Sequence, residues 1–425
     1  MISLVEVLNF RCLRYIRQAM GRFHVLVGPN ASGKTTFLDA IAFVSDLVTI
    51  GLEKAVAART QDFRDLVWQR LREVGFDIGF EIAVEAPIPE ERRQLVAEEK
   101  RRFDTIRYEV GIGPDSRTGE IVITGEQGFL TRRSATPSRR MPLFPDPEVP
   151  PASIVSRRRS GTSKALFTKI SGGNDNFYAE AYAKEGRWAP SFKLGPRKST
   201  LGNLPEDESK FPVSAWFKQL LSEGVEKITL NSQEMRKPSP PGQKLGFKPD
   251  GSNLPWVIER LRSGSPSGFQ EWVDHIRTAL PDLEGVRTVQ RPEDNHRYLV
   301  LAYRGGLEVP SWTASDGTLR LLALTLPAYL DDFRGIYLIE EPENGIHPRA
   351  VETVYQSLSS VYDGQILVAS HSPVMLSIVD PKDVLCFAKT EEGATDIVPG
   401  GQHPKLRDWR QEENFGVLFA AGVLG

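Results

Sequence analysis

Apolar and polar residues alternate over 2–8 (ISLVEVL), the period of a half-buried strand. Residues 23–27 (FHVLV) are apolar almost throughout and predict a buried strand, with a polar and aromatic turn at 9–14 between the two. Residues 36–44 (TFLDAIAFV) place apolar positions at helical spacing, and so does the charged stretch 59–68. Strand-like runs follow at 78–84, 107–112 and 120–124, and the turn residues 114–119 (PDSRTG) join the last two into a hairpin. The pattern changes at about 131. Residues 131–160 are rich in Arg, Pro and Ser without a periodic apolar pattern, which predicts a loop or insertion. Signals are weak over 161–245, apart from a helix at 213–221 and a Pro-rich loop at 237–243. Helical spacing returns at 254–262 and 268–280, without heptads sustained enough for a long coiled-coil arm. The last third is the most regular. It predicts a strand at 298–303, a helix at 319–330 kinked by Pro327, short buried strands at 335–339, 365–369 and 384–387, and a helix at 348–361. Strand–helix–strand order implies a parallel sheet with helices on both faces, an α/β fold.

Composition adds limits to that picture. At 425 residues the chain can hold two or three domain-sized cores, and its 40% hydrophobic and 25% charged residues are ordinary for a globular protein. The formal net charge of -2 gives no global basic field, so nucleic acid is not announced. The arginine cluster 132, 133, 139, 140 and 157–159 leaves a local DNA-binding patch open, beside the reading of a solvated loop. Cys12 and Cys386 have no metal-ligand spacing and cannot build a disulfide framework, which fits a cytoplasmic protein. No apolar run approaches the roughly 18–20 residues of a membrane span, so no membrane is expected.

Chemistry concentrates at a few places. Residues 28–35 (GPNASGKT) fit G-x-x-x-x-G-K-[ST] between a strand and a helix, the context of a phosphate-binding P-loop. Glycines let the backbone wrap phosphate, Lys34 would reach the β- and γ-phosphates, and the Thr35 hydroxyl would hold Mg²⁺. The strand 336–339 ends in Glu340 and Glu341, and adjacent carboxylates at a buried strand end are costly without a cation or proton. Glu340 is assigned to the Mg²⁺ shell and Glu341 to polarising the attacking water. His371 ends another apolar strand and can contact a γ-phosphate and that water, although it could also be a loop histidine at a helix start. Ser315 and Gly317 precede an apolar helix and offer a second anion site, beside the reading of an ordinary N-cap. His347 is a weaker candidate at a turn.

These motifs in this order resemble the ATP-binding-cassette superfamily. They are most similar to the SMC/RecF-like ATPases and to the AAA branch that includes the overcoming-lysogenisation (OLD) nucleases. Residues 28–35 look like Walker A, 315–320 (SDGTLR) like the signature, 339–348 (IEEPENGIHP) like Walker B and D-loop, and 370–373 (SHSP) like the H-loop. Residues 9–11 (NFR) and 250–254 (DGSNL) are also similar to this group. The resemblance implies an ATPase head, a mixed sheet flanked by helices plus an antiparallel β-subdomain, built from 1–130 and 286–425 around an inserted region at 131–285. It implies ATP and Mg²⁺ as ligands, with Asn30, Gly33, Lys34, Thr35 and Thr36 around the nucleotide. Two heads would meet head to tail, Ser315 and Gly317 of one capping the γ-phosphate held on Lys34 of the other, in a homodimer or higher oligomer. Thr318 stands where many cassettes have Gln or Glu, Glu340 replaces the commoner Asp, and Gln61 and Gln127 compete for the Q-loop. Beyond 373 there is no further strand-end carboxylate set, so the Toprim nuclease domain of OLD proteins is not expected. By analogy with that family, the chain would be the sensor or scaffold ATPase of an antiphage defence system that controls a separate effector, such as a nuclease. The alternative is a RecF-like repair ATPase that clamps DNA.

Overall fold

A computed structural model of the chain describes residues 1–84, 103–132, 150–156, 163–180, 190–243 and 246–402. Strands β1 (Ile2–Phe10), β2 (Leu13–Ala19) and β3 (Phe23–Val27) lead to helices α1 (Lys34–Thr49) and α2 (Leu52–Ala57). Then come β4 (Phe76–Ala83), β5 (Thr105–Pro114), β6 (Ile121–Thr131), β7 (Lys164–Ile170), β8 (Asp175–Phe177), β9 (Ser191–Phe192) and α3 (Pro212–Glu223). They are followed by β10 (Val225–Ile228), α4 (Ser232–Arg236), α5 (Leu254–Gly264), α6 (Pro266–Ala279), β11 (Leu283–Gln290), β12 (Arg297–Tyr303) and β13 (Leu307–Pro310). The chain continues through α7 (Asp316–Thr325), β14 (Ile336–Glu340), α8 (Pro348–Ser359), β15 (Gln365–Ala369), α9 (Pro373–Ile378) and β16 (Val384–Lys389). It forms two compact units: the described residues of 1–21, 35–225 and 389–397, and those of 22–34, 226–388 and the stretch after 397.

The first unit is built on an antiparallel sheet in the order β2-β1-β4-β5-β6-β7-β8-β9. Its apolar face buries Phe10, Phe43 of α1 and Phe76, whose rings meet edge to face at 5.0 and 5.3 Å about Phe76. The hairpin predicted around 114–119 is present, with Ile112 opposite Ile123.

In the second unit the strands run side by side in the order β10-β14-β15-β3-β16. The β14–β15, β15–β3 and β3–β16 pairs are parallel. Every residue of β3 and β15 is buried, as continuous apolar runs in a sheet covered on both faces must be. The core adds Leu319 and Leu322 of α7, Val351 and Val354 of α8 and Trp272 of α6, each worth roughly 1.5–3 kcal/mol of burial. Helix α7 stops at Thr325, and Pro327 sits in the 3-10 turn Leu326–Tyr329 that follows, where the sequence predicted a kink. Parallel strands align their carboxyl ends at one edge of the sheet, where α/β folds place ligands. Glu340 pairs with Ala369, and Ala369 with Leu26, so the loop of residues 28–34, the Glu340–Glu341 pair and His371 leave from this edge, while Ser315 and Gly317 lie apart at the start of α7.

Some expectations fail. Residues 59–68 are not a regular helix but hold the 3-10 turn Phe63–Leu66, and a second turn spans Trp68–Arg70. Asp62 accepts the Arg64 N–H and its guanidinium, and Gln69 has φ 50°, so side-chain bonds and a left-handed residue break the helical path. Strands β2, β7, β8 and β11 were not foreseen. Of the arginine cluster only Arg132 is described; the rest of it, and the DNA contact proposed there, lie outside the described residues.

Candidate active site

The loop between β3 and α1 needs its glycines for two different reasons. Gly28 lies where a Cβ would collide with the carbonyl oxygen of Phe387 on β16. Gly33 has φ 106°, a left-handed backbone that favours glycine. The first N–H groups of an α-helix have no intrahelical acceptor, so the start of α1 presents donors and a positive dipole end. Lys34 opens that helix and is 5% exposed. Its Nζ donates to the carbonyls of Gly28 (2.8 Å) and Pro29 (2.9 Å). Burial lowers its pKa to about 8, and the nearby charge of Glu341 works against that fall. A buried ammonium at a helix start, neutralised only in part, suits a phosphate chain. Asn30 is exposed in the loop, and Thr35 and Thr36 stand at the start of α1 with Thr35 exposed. The hydroxyl of Thr36 receives a weak bond from Cys12 Sγ at 3.5 Å.

Glu340 is the last residue of β14 and half-buried. Its carboxylate pairs with the part-exposed Lys227 of β10 at 2.6 Å through a buried oxygen, a contact that a divalent cation could replace. Glu341 has φ 47°, uncommon for a residue with a Cβ, and such strain collects at functional sites. The turn is held by Glu341 N–H on the Ala369 carbonyl (2.8 Å) and by Asn344, whose side-chain amide donates to the Glu341 carboxylate. The carboxylate is thereby turned out of the strand and exposed.

His371 follows β15. Burial and the Lys34 charge lower its pKa, while Glu341 and Glu343 pull it upward. The structure therefore brings Lys34, Glu341 and His371 within electrostatic reach of one another at the carboxyl ends of β3, β14 and β15. Glu343, which the sequence reading passed over, holds the backbone of His371: its Oε1 accepts the His371 N–H at 2.9 Å. No local pattern marks it, because its partner is 28 positions away.

Ser315 is the N-cap of α7, its Oγ accepting Thr318 N–H at 3.1 Å. Arg236 of α4 braces this turn through Asp316 (2.5 Å) and the Ala314 carbonyl (3.0 Å). Gly317 has a packing reason of its own, since a Cβ there would lie 2.5 Å from the Gly345 carbonyl. His347 caps α8 through Arg349 N–H. Gln127 is buried and donates to Glu109 (2.6 Å) and to the Ser156 carbonyl (2.9 Å), while Gln61 is exposed, so neither is marked out as a nucleotide ligand. Asn253, in the 250–254 motif, ties its own loop through Lys248 N–H and the Gly246 carbonyl.

ATP and Mg²⁺ fit these donors. The buried Lys34 and the helix start suit phosphate; Thr35 and the Glu340 carboxylate are oxygen ligands of the kind that Mg²⁺ takes. Among the described residues there is no cluster of three or more His, Cys, Asp or Glu that would hold a metal without such help. No helix among them is long and apolar enough to cross a membrane.

A family model described as "AAA domain, putative AbiEii toxin, Type IV TA system" matches residues 23–377. Among solved structures, the chain is similar to an SMC head bound to the C-winged helix domain of ScpA. The identity is 14%, over 93% of this chain and 97% of that one, with a TM-score of 0.51. It is also similar to an Smc head with an extended coiled coil, bound to the C-terminal domain of ScpA and derived from Pyrococcus furiosus. There the identity is 13%, over 93% and 95% of the two chains, with a TM-score of 0.49. The first likeness shows the fold, that of an SMC head. No curated protein matches the chain.

Proposed function

We propose, from the premise that this chain belongs to the AAA-domain family of the putative AbiEii toxin and Type IV TA system, that it binds and hydrolyses ATP and so controls a separate effector. The observation that carries the ATPase reading is the convergence of Lys34, Glu341 and His371 at the ends of three adjacent parallel strands. In this reading 1–130 and 286–425 supply the ATPase head, with 131–285 inserted between them. Asn30, Gly33, Lys34, Thr35 and Thr36 hold the triphosphate, and Thr35 and Glu340 hold Mg²⁺. The ion, when bound, neutralises charge developing on the transferred phosphoryl group. Glu341 accepts a proton from the attacking water, and His371 orients that water against the γ-phosphate. The Ser315 hydroxyl and the start of α7 complete the site from a second copy, so hydrolysis depends on dimerisation.

The effector reading is supported by the toxin–antitoxin description of the family and by the OLD-like motif set. It places the protein in the cytoplasm, as the ATPase of an antiphage system that restrains or releases a nuclease-like partner. Its test is affinity purification of Glu341→Gln, which should keep ATP and lose turnover by about 10²-fold or more. Co-purification of a stoichiometric effector supports the reading, and a lone dimer carrying DNA replaces it with the RecF-like alternative. If Glu341→Gln turns over ATP like the wild type, Glu341 is not the base.

A further inference from the structure

The turn that carries His371 is fixed from both sides, and one of the two clamps is an unassigned carboxylate. Glu343 follows β14 by three residues, and its Oε1 accepts two bonds, from Ser370 Oγ at 2.7 Å and from His371 N–H at 2.9 Å. Ser370 is fully buried, and its Oγ accepts Ser372 N–H at 3.0 Å. Ser372 Oγ in turn caps α9 through Met375 N–H at 3.3 Å. His371 therefore sits between a carboxylate clamp on one side and a capped helix on the other. The second oxygen of Glu343, Oε2, is buried, with no hydrogen-bond partner among the described residues. A turn carboxylate with no further role would ordinarily keep its oxygens in water, since burying charge is costly. Here that cost is spent on aiming one backbone segment, and charge-assisted bonds of this kind are shorter and stronger than neutral ones.

We infer that Glu343 is a positioning residue: its carboxylate sets the Ser370–His371 backbone so that the imidazole faces the candidate γ-phosphate position. The role rests on the ATPase reading above. It predicts that Glu343 acts on turnover through His371 and leaves nucleotide binding, which belongs to the P-loop, alone.

The test uses the full chain with Glu343→Ala and Glu343→Gln. Three quantities are read: ATP turnover, affinity for a fluorescent ATP analogue, and amide hydrogen exchange over 369–373 without nucleotide. Glu343→Ala should lower kcat about tenfold or more while analogue affinity stays within about twofold. The His371 amide should exchange about tenfold faster or more, because its acceptor is gone, and the Ser372 amide should follow, because its acceptor Ser370 Oγ is held by the same carboxylate. Glu343→Gln keeps an acceptor of the same reach and should restore both kcat and protection to within about threefold of wild type. Wild-type turnover and protection in Glu343→Ala would overturn the inference. So would a loss of analogue affinity in proportion to kcat, which would mark Glu343 as a general support of the fold. Exchange does not depend on hydrolysis. A wild-type chain that protects these amides but never turns over ATP would remove the ATPase reading, and with it this role, while leaving the contact in place.

Discussion

Ser315 and Gly317 are neighbours in one motif but have different physical reasons to be there. Ser315 caps a helix and is exposed, so its hydroxyl can serve a ligand without unfolding anything. Gly317 is needed because the Gly345 carbonyl approaches too closely for any side chain. Gly317→Ala should therefore cost about 1–3 kcal/mol of stability through overpacking. Ser315→Ala should cost only about 1 kcal/mol, the worth of a cap. Denaturant unfolding of both variants checks the order, and a Gly317→Ala protein as stable as wild type would contradict it. Lys34 shows the other side of reading residues from sequence. Its motif announces phosphate, but its bonds to Gly28 and Pro29 depend on the loop's path and could not be read in advance. Glu343 was illegible for a related reason: its partners Ser370 and His371 come within reach only once β14 and β15 pair.

Among elements, the start of α3 is stabilised in an unusual way. Glu180 is buried, and its carboxylate accepts Val213 N–H (2.6 Å), Ser214 N–H (3.1 Å) and Ser214 Oγ–H (2.5 Å). Burial raises its pKa to about 7 even though all three donors pull it down. The folded state thus holds the proton more tightly than the unfolded chain, whose value is near 4.5. The resulting stability is fully present below about 4.5 and is lost as pH rises through about 7. Glu180→Gln, which cannot ionise, should lack this term, so wild type should lose more Tm than the variant between about pH 5 and 7.5. Equal slopes would mean that the carboxyl titrates normally. The same element scale explains what the sequence could reveal. Strands β3, β14, β15 and β16 were legible because buried parallel strands are short apolar runs. Strand β2 (LRYIRQA) carries two arginines, and β11 (LEGVRTVQ) has a glycine and partly exposed alternate positions, so neither stands out from a loop. The stretch 59–68 had helical spacing, but its Asp62–Arg64 bonds and the left-handed Gln69 prevailed over periodicity.

For the whole molecule, the family and the SMC-head fold follow from the comparisons, and the sequence had already pointed to both through four motifs in order. What those motifs cannot carry is assembly, since a site completed by a second copy leaves no trace in one chain beyond an exposed Ser315. The most direct measurement is therefore ATP turnover by an equal mixture of two inactive variants, Lys34→Ala and Ser315→Arg. Lys34→Ala removes the phosphate cation, and Ser315→Arg blocks the face offered to the partner while sparing ATP binding. A hybrid dimer keeps one intact site, with Lys34 from one copy and Ser315 from the other. If sites are shared, each variant alone is inactive and the mixture recovers roughly a quarter of wild-type turnover, because about half the dimers are hybrids with one working site of two. A mixture as inactive as its components, or Ser315→Arg turning over like wild type alone, would contradict a site shared between copies.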